Sequence, residues 1–112
     1  MADVQGEFDL IVTIVSKGVA SAVMDAARAA GAEGGTIVYG RGTGIHERMR
    51  LFNIPIEPEK EILLTLVPSN LSQRVTDAIE QAANLSEPGR GIAFVLPVKR
   101  VMGIVHKLTQ QD

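Results

Sequence analysis

Leu10-Ile-Val-Thr-Ile-Val15 and Ile62-Leu-Leu-Thr-Leu-Val67 are two apolar runs of the same pattern, each with a threonine in the fourth place. Both are too short for a helix core. Ser16-Lys17-Gly18 closes the first and Pro68-Ser69-Asn70 the second, so each reads as a buried strand. The offset that aligns the runs also lays Val23, Asp25, Ala26 and Ala30 on Val75, Asp77, Ala78 and Ala82. The chain therefore reads as a doubled strand-helix-strand unit.

Working outward, Val19, Val23, Met24, Ala27 and Ala30 recur at three-to-four spacing and predict an amphipathic helix, with Gly31 placed to cap its C-terminus. A second strand is expected at Thr36-Ile-Val-Tyr39, closed by Gly40-Arg-Gly-Thr-Gly44, whose alternating glycines oppose regular structure. Residues 45–60 mix charge with Pro55 and Pro58 and read as a long connection into the third strand. Leu71, Val75, Ala78, Ile79 and Ala82 make the stripe of a second helix ending near Asn84, with Pro68-Ser69-Asn70 supplying its start. The turn Ser86-Glu-Pro-Gly-Arg-Gly91 leads to a strand at Ile92–Leu96. Pro97 then marks a bend or an edge, and a further apolar stretch runs Val101–Val105.

Two such units with right-handed crossovers give a split βαβ sheet with both helices on one face. The other face is left bare. Exposing an apolar face of this kind costs about 25 cal/mol per Å², so self-association that buries it is expected.

Composition narrows the functional classes. The 112 residues suit one domain spanning 1–112, and 46% hydrophobic content fills one core. Aromatics are 4%, so a large aromatic-lined pocket is not expected. A net charge of −2 provides no broad basic field for nucleic acid. No cysteine is present, which excludes disulfides, thiolate metal sites and cysteine nucleophiles. The segment from Met1 to Phe8 carries acids and no signal-like apolar run, and no later stretch is long and apolar enough to cross a bilayer as a helix. A soluble, cytoplasmic protein is expected.

Gly40-Arg41-Gly42-Thr43-Gly44 sets backbone N–H groups beside a guanidinium, a combination that suits either a flexible hinge or an anion cradle. It matches neither a P-loop nor a dinucleotide-binding fingerprint. Gly89-Arg90-Gly91 is a second such turn. Read alone it is an ordinary turn with an exposed arginine, but two Gly-Arg-Gly turns in a duplicated chain can converge on one polyanion across a subunit boundary. His46 and His106 are the only histidines and form no metal cluster, so no metal is expected. Glu57, Glu59 and Glu61 read as a solvated face of a charged loop. Ser16, Ser69 and Ser72 sit where hydroxyls cap helices, and nothing links them to a histidine, so no hydrolase site is expected. Met49, Leu51, Phe52, Ile54 and Ile56 make the connection more apolar than a solvated loop requires.

Taken together, the duplication, Gly34-Gly-Thr-Ile-Val-Tyr-Gly-Arg-Gly-Thr-Gly44, Ile54-Pro-Ile-Glu-Pro-Glu-Lys-Glu61 and Glu87-Pro-Gly-Arg-Gly-Ile-Ala-Phe94 resemble the PII signalling family over nearly the whole chain. The resemblance implies an α+β, ferredoxin-like βαββαβ sandwich with an extra C-terminal strand, assembled as a homotrimer. It implies a non-catalytic signal-transduction regulator in the sphere of nitrogen regulation, with an adenine nucleotide (ADP or ATP, with AMP as a further option) bound between subunits. A mobile loop after the second strand would contact a regulated transporter or enzyme, and any membrane association would run through that partner. Thr36 would approach the adenine. Gly42, Thr43 and Gly44 would form the loop base near the phosphates, and Gly89, Arg90 and Gly91 the phosphate cradle. Arg41, His46, Glu47 and Phe52 would serve the partner-binding loop.

The chain departs from the family pattern at three places. Gly103 and Val105 stand where tight ATP binders carry two arginines, which shifts the expectation toward ADP or AMP. Ile92 stands where the second loop carries a phosphate-binding lysine, leaving Arg90, Lys99, Arg100 or Lys107 to supply charge. The loop is short and has no Tyr or Ser from Gly44 to Lys60, so sensing would proceed by ligand alone. Two other classes compete: a CutA-like trimer binding a metal or small anion, and a small enzyme on the same scaffold.

Overall fold

A computed structural model describes residues 2–42, 49–51, 54–56 and 58–104, with side chains for 7–42 and 58–103. Chain order is β1 (Ala2–Ser16), α1 (Ala20–Ala29), β2 (Thr36–Arg41), β3 (Met49–Leu51), β4 (Ile54–Ile56), β5 (Glu59–Pro68), a 3-10 turn (Ser69–Leu71), α2 (Ser72–Ala83) and β6 (Gly91–Ile104). The main sheet has order β2-β5-β1-β6, antiparallel throughout. β1 and β2 flank β5, while β5 and β6 flank β1. Each strand-helix-strand unit therefore straddles a strand of the other, which is the ferredoxin-like arrangement expected from the repeat.

Alternation sorts the central strands. Ile11, Val15, Leu63 and Val67 are buried on the helical face with Val23 and Ala27 of α1 and Val75 and Ile79 of α2. Their neighbours in register, Leu10, Val12, Ile14, Ile62, Leu64 and Leu66, lie on the opposite face and remain part-exposed. Val38, Ile92, Phe94 and Leu96 extend that face at 42%, 56%, 41% and 46% exposure. The second face is apolar and uncovered by either helix. Thr13 and Thr65, the paired threonines of the repeat, are both buried on the helical face with hydroxyls that find no partner.

Both helices end in a Schellman motif, but neither begins with a serine cap. In α1 the Ala32 N–H reaches the Ala27 carbonyl and Gly31 N–H that of Arg28, with Gly31 at φ 122°. Asn84, at φ 54°, plays the same part for α2. Val19 and Leu71 occupy the N-caps and make no side-chain cap, so Ser16, Ser69 and Ser72 do not serve as expected. The 3-10 turn explains this at α2, where Ser72 N–H bonds the Ser69 carbonyl instead of a hydroxyl.

Three elements differ in extent from the sequence reading. The stretch from Val101, expected as an additional strand, is a continuation of β6, and β1 extends back to Ala2 to pair with it. β6 is a sheet edge, where Pro97 is tolerated. Gly103, at φ 87°, forms a bulge where the register shifts opposite Ala2 and Asp3. Within the long connection, β3 and β4 pair as a hairpin with Met49 opposite Ile56 and Leu51 opposite Ile54.

Candidate functional site

The first glycine turn is anchored before it leaves the sheet. Gly40 and Arg41 are still paired, to Lys60 and Glu59, and Gly42 N–H donates to the Pro58 carbonyl at 3.2 Å. These bonds clamp the two ends of the intervening segment. Lys17, in the β1–α1 turn, adds a salt bridge to Glu59 at 2.9 Å. The hydrogen bond and charge of Lys17, followed by the charge of Arg41, hold the Glu59 carboxyl below the usual carboxylate range. The same contact raises the Lys17 ammonium above its ordinary value.

Glu61 is 8% exposed, and its Oε1 accepts the Ala20 N–H at 2.9 Å. It caps α1 from across the sheet, which answers the missing local cap and places negative charge at a helix N-terminus. The reading of Glu61 as part of a solvated face is corrected by this placement, whereas Glu59 is exposed as expected, on a strand rather than a loop. Both belong to β5, and Glu61 points toward the helical layer. Glu57 lies outside the described residues. Lys17, Tyr39, Gly40, Arg41 and residues 59–61 line a cleft of about 580 Å³ at this root.

The second turn is fixed by packing. At Gly91, φ is 146° and a Cβ would lie 2.5 Å from the Ile14 carbonyl oxygen, so only glycine fits. Gly89 also has positive φ, at 81°. Arg90 between them is exposed, and its Nε stands 3.4 Å from Glu87 Oε1. A cleft of about 370 Å³, lined by Thr76, Glu80, Leu85 and residues 91–93 and 95, runs beside this turn between α2 and β6.

Register relates the turns. Gly91 pairs with Val15, Val15 with Glu61 and Glu61 with Tyr39. Both turns therefore emerge at the same end of the sheet but on opposite edges, three strand spacings or about 14 Å apart. Thr36 begins β2 and is exposed, about 20 Å along the strand from Gly42. One protomer brings Gly42 and Gly89–Gly91 to a common end and leaves Thr36 at the other. Thr43, Gly44, His46, Glu47 and Phe52 lie outside the described residues. Among the described residues there is no cluster of three or more metal-binding side chains, and no helix is long and apolar enough to cross a membrane.

The family model for nitrogen regulatory protein P-II matches residues 8–107, a span that takes in both turns and both repeats. The chain belongs to the P-II family. P-II proteins are signal-transduction regulators that bind small molecules. Among solved structures, that of Arabidopsis thaliana PII bound to citrate is similar at 26% identity and TM-score 0.66, covering 84% of this chain and 79% of that one. No curated protein matches. Lys17 and Glu87 stand beside these turns without being singled out by the sequence, and the sequence reading places Glu61 there without its capping role. The available signal for Glu61 is its place one residue before the apolar run.

Proposed function

We propose that this chain is one P-II domain over residues 1–112 that assembles as a cytoplasmic homotrimer, binds an adenine nucleotide between subunits and acts without catalysis. The carrying observation is the geometry of the two Gly-Arg-Gly turns, which leave the sheet at one end while Thr36 stands at the other. A site using all of them needs a second protomer. In this reading one subunit supplies Gly42, Thr43, Gly44, Gly89, Arg90 and Gly91 to the phosphates, and its neighbour supplies Thr36 to the adenine. The positive-φ turn at Gly89–Gly91 favours this role because Gly89 sets no side chain in the way of an anion approaching the backbone.

Binding would order the loop spanning residues 40–60, with Arg41, His46, Glu47 and Phe52 presented to a transporter or metabolic enzyme. The clamp of Gly42 on Pro58 supports this, because a ligand touching the glycine acts directly on the loop root. The citrate carried by the Arabidopsis relative favours an anion-receptive surface here as well.

Calorimetric titration of ATP, ADP and AMP, with light scattering to fix the oligomer, tests the proposal. Saturable binding by a trimer, weakened about tenfold or more by Arg90→Ala, is the expected result. A trimer that takes up no adenine nucleotide would remove it.

A further inference from the structure

The connection from Asn84 to Gly91 is held at both ends. Asn84 in the left-handed region ends α2, Glu87 N–H bonds the Asn84 carbonyl at 3.0 Å, and Arg90 N–H bonds the Glu87 carbonyl at 3.4 Å. Pro88 fixes one backbone angle, and Gly91 is pressed against the Ile14 carbonyl. Within this connection Arg90 is the one cation and Glu87 the one anion. The closed turn lays one against the other, Arg90 Nε 3.4 Å from Glu87 Oε1, with 52% and 65% of the two side chains exposed.

An anion arriving at Arg90 thus meets a guanidinium that already carries a carboxylate. We propose that Glu87 is an internal counter-anion that lowers the affinity of the turn for anions, most for those that displace it fully. The inference rests on the proposed phosphate-binding role of Gly89–Gly91. A simple carboxylate exchanges one-for-one with Glu87 and gains little. A di- or triphosphate brings further charge to the same guanidinium and to the turn amides, and displaces Glu87 more completely. Glu87 is exposed enough to rotate into solvent when displaced, so the exchange requires no backbone movement. Parting the pair is a cost that every anion engaging Arg90 bears, and a polyphosphate bears it in full.

The magnitude follows from the nature of the pair. An exposed ion pair of this kind is weak, so its removal changes affinity by about two- to fivefold rather than by orders of magnitude.

Calorimetry of the trimer with ATP, AMP and inorganic pyrophosphate, on the wild type, Glu87→Gln, Arg90→Ala and the double variant, tests the idea. Glu87→Gln is expected to tighten ATP and pyrophosphate by about two- to fivefold and AMP by no more than that. The gain should vanish in the Arg90→Ala background, and the Arg90 Nε–H resonance should shift in Glu87→Gln before any ligand is added. An equal gain in both backgrounds would mean simple repulsion by Glu87 and would overturn the proposal, as would no gain at all. If Arg90→Ala weakens binding while Glu87→Gln changes nothing, the nucleotide reading stands and this inference alone falls. If the wild type binds none of the three probes, both fall together.

Discussion

Gly91 has two separate reasons to be glycine, and one of them concerns stability alone. Its φ of 146° and the 2.5 Å separation that a Cβ would have from the Ile14 oxygen are properties of the fold, whatever the turn binds. Gly91→Ala is therefore expected to destabilise the protein by about 2–4 kcal/mol, combining backbone strain with a clash that only strand displacement can relieve. Urea denaturation measures this, and a change below about 0.5 kcal/mol would show that β1 yields easily at Ile14. Thr13 and Thr65 show a different residue-scale effect. Repetition carries a buried hydroxyl without a partner into both halves of the core, where the cost of each is about 1–3 kcal/mol. The core can bear that cost because Ile11, Val15, Leu63 and Val67 flank the threonines on the same strands.

At the scale of elements, the root of the loop is an electrostatic assembly of β1–α1 turn, β2 and β5. Glu59 is held low first by Lys17 and then by Arg41, so its stabilising contribution is present above the ordinary carboxylate range and is lost as pH falls through the depressed value. Lys17 is raised, so its contribution is present below the ordinary lysine range and is lost as pH climbs through the raised value. The pair is intact throughout the neutral range. Lys17→Ala should return the Glu59 titration midpoint toward the ordinary carboxylate value, and Arg41→Ala should do so by less. Carboxyl carbon NMR across an acid titration reads both, and an equal or reversed order would contradict the assembly described.

The same elements show what is legible in the sequence. The central strands, both helices and the turn at Gly89–Gly91 follow from apolar spacing and glycine placement, because local rules govern them. The pairing of β3 and β4 reads as a connection, although Met49 and Leu51 on one strand and Ile54 and Ile56 on the other alternate with Arg50 and Pro55. Pro55 and the surrounding charge mask the period. The reach of β1 back to Ala2 is not legible either, because pairing with β6 rather than local apolar pattern extends it. Glu61 escapes a local reading for the same reason: its partner, the Ala20 N–H, lies 41 residues away in sequence. Lys17 and Glu87 are visible as charges, but their partners depend on turns whose geometry only the fold supplies.

For the whole molecule the deciding feature is a sheet with one apolar face under helices and the other uncovered. Leu10, Val12, Ile14, Ile62, Leu64 and Leu66 form the middle of the open face, with Val38 at one edge and Ile92, Phe94 and Leu96 at the other. Phe94 lies opposite Val12 and is 41% exposed in a single chain. A charge there costs little while the face stays in water, and a great deal once a second copy covers it, because an unpaired buried carboxylate is expensive. Phe94→Asp is therefore expected to convert the proposed trimer to monomer in sedimentation. In the proposed trimer folding and assembly are linked, so the wild-type melting midpoint should rise with protein concentration, and the variant should lose that dependence. Because the proposed nucleotide site draws Thr36 from a neighbour, the variant should also lose nucleotide binding while Gly89, Arg90 and Gly91 remain intact. A variant that keeps the wild-type mass would leave the open face unassigned, and one that turns monomeric yet binds as before would place the site within a single chain.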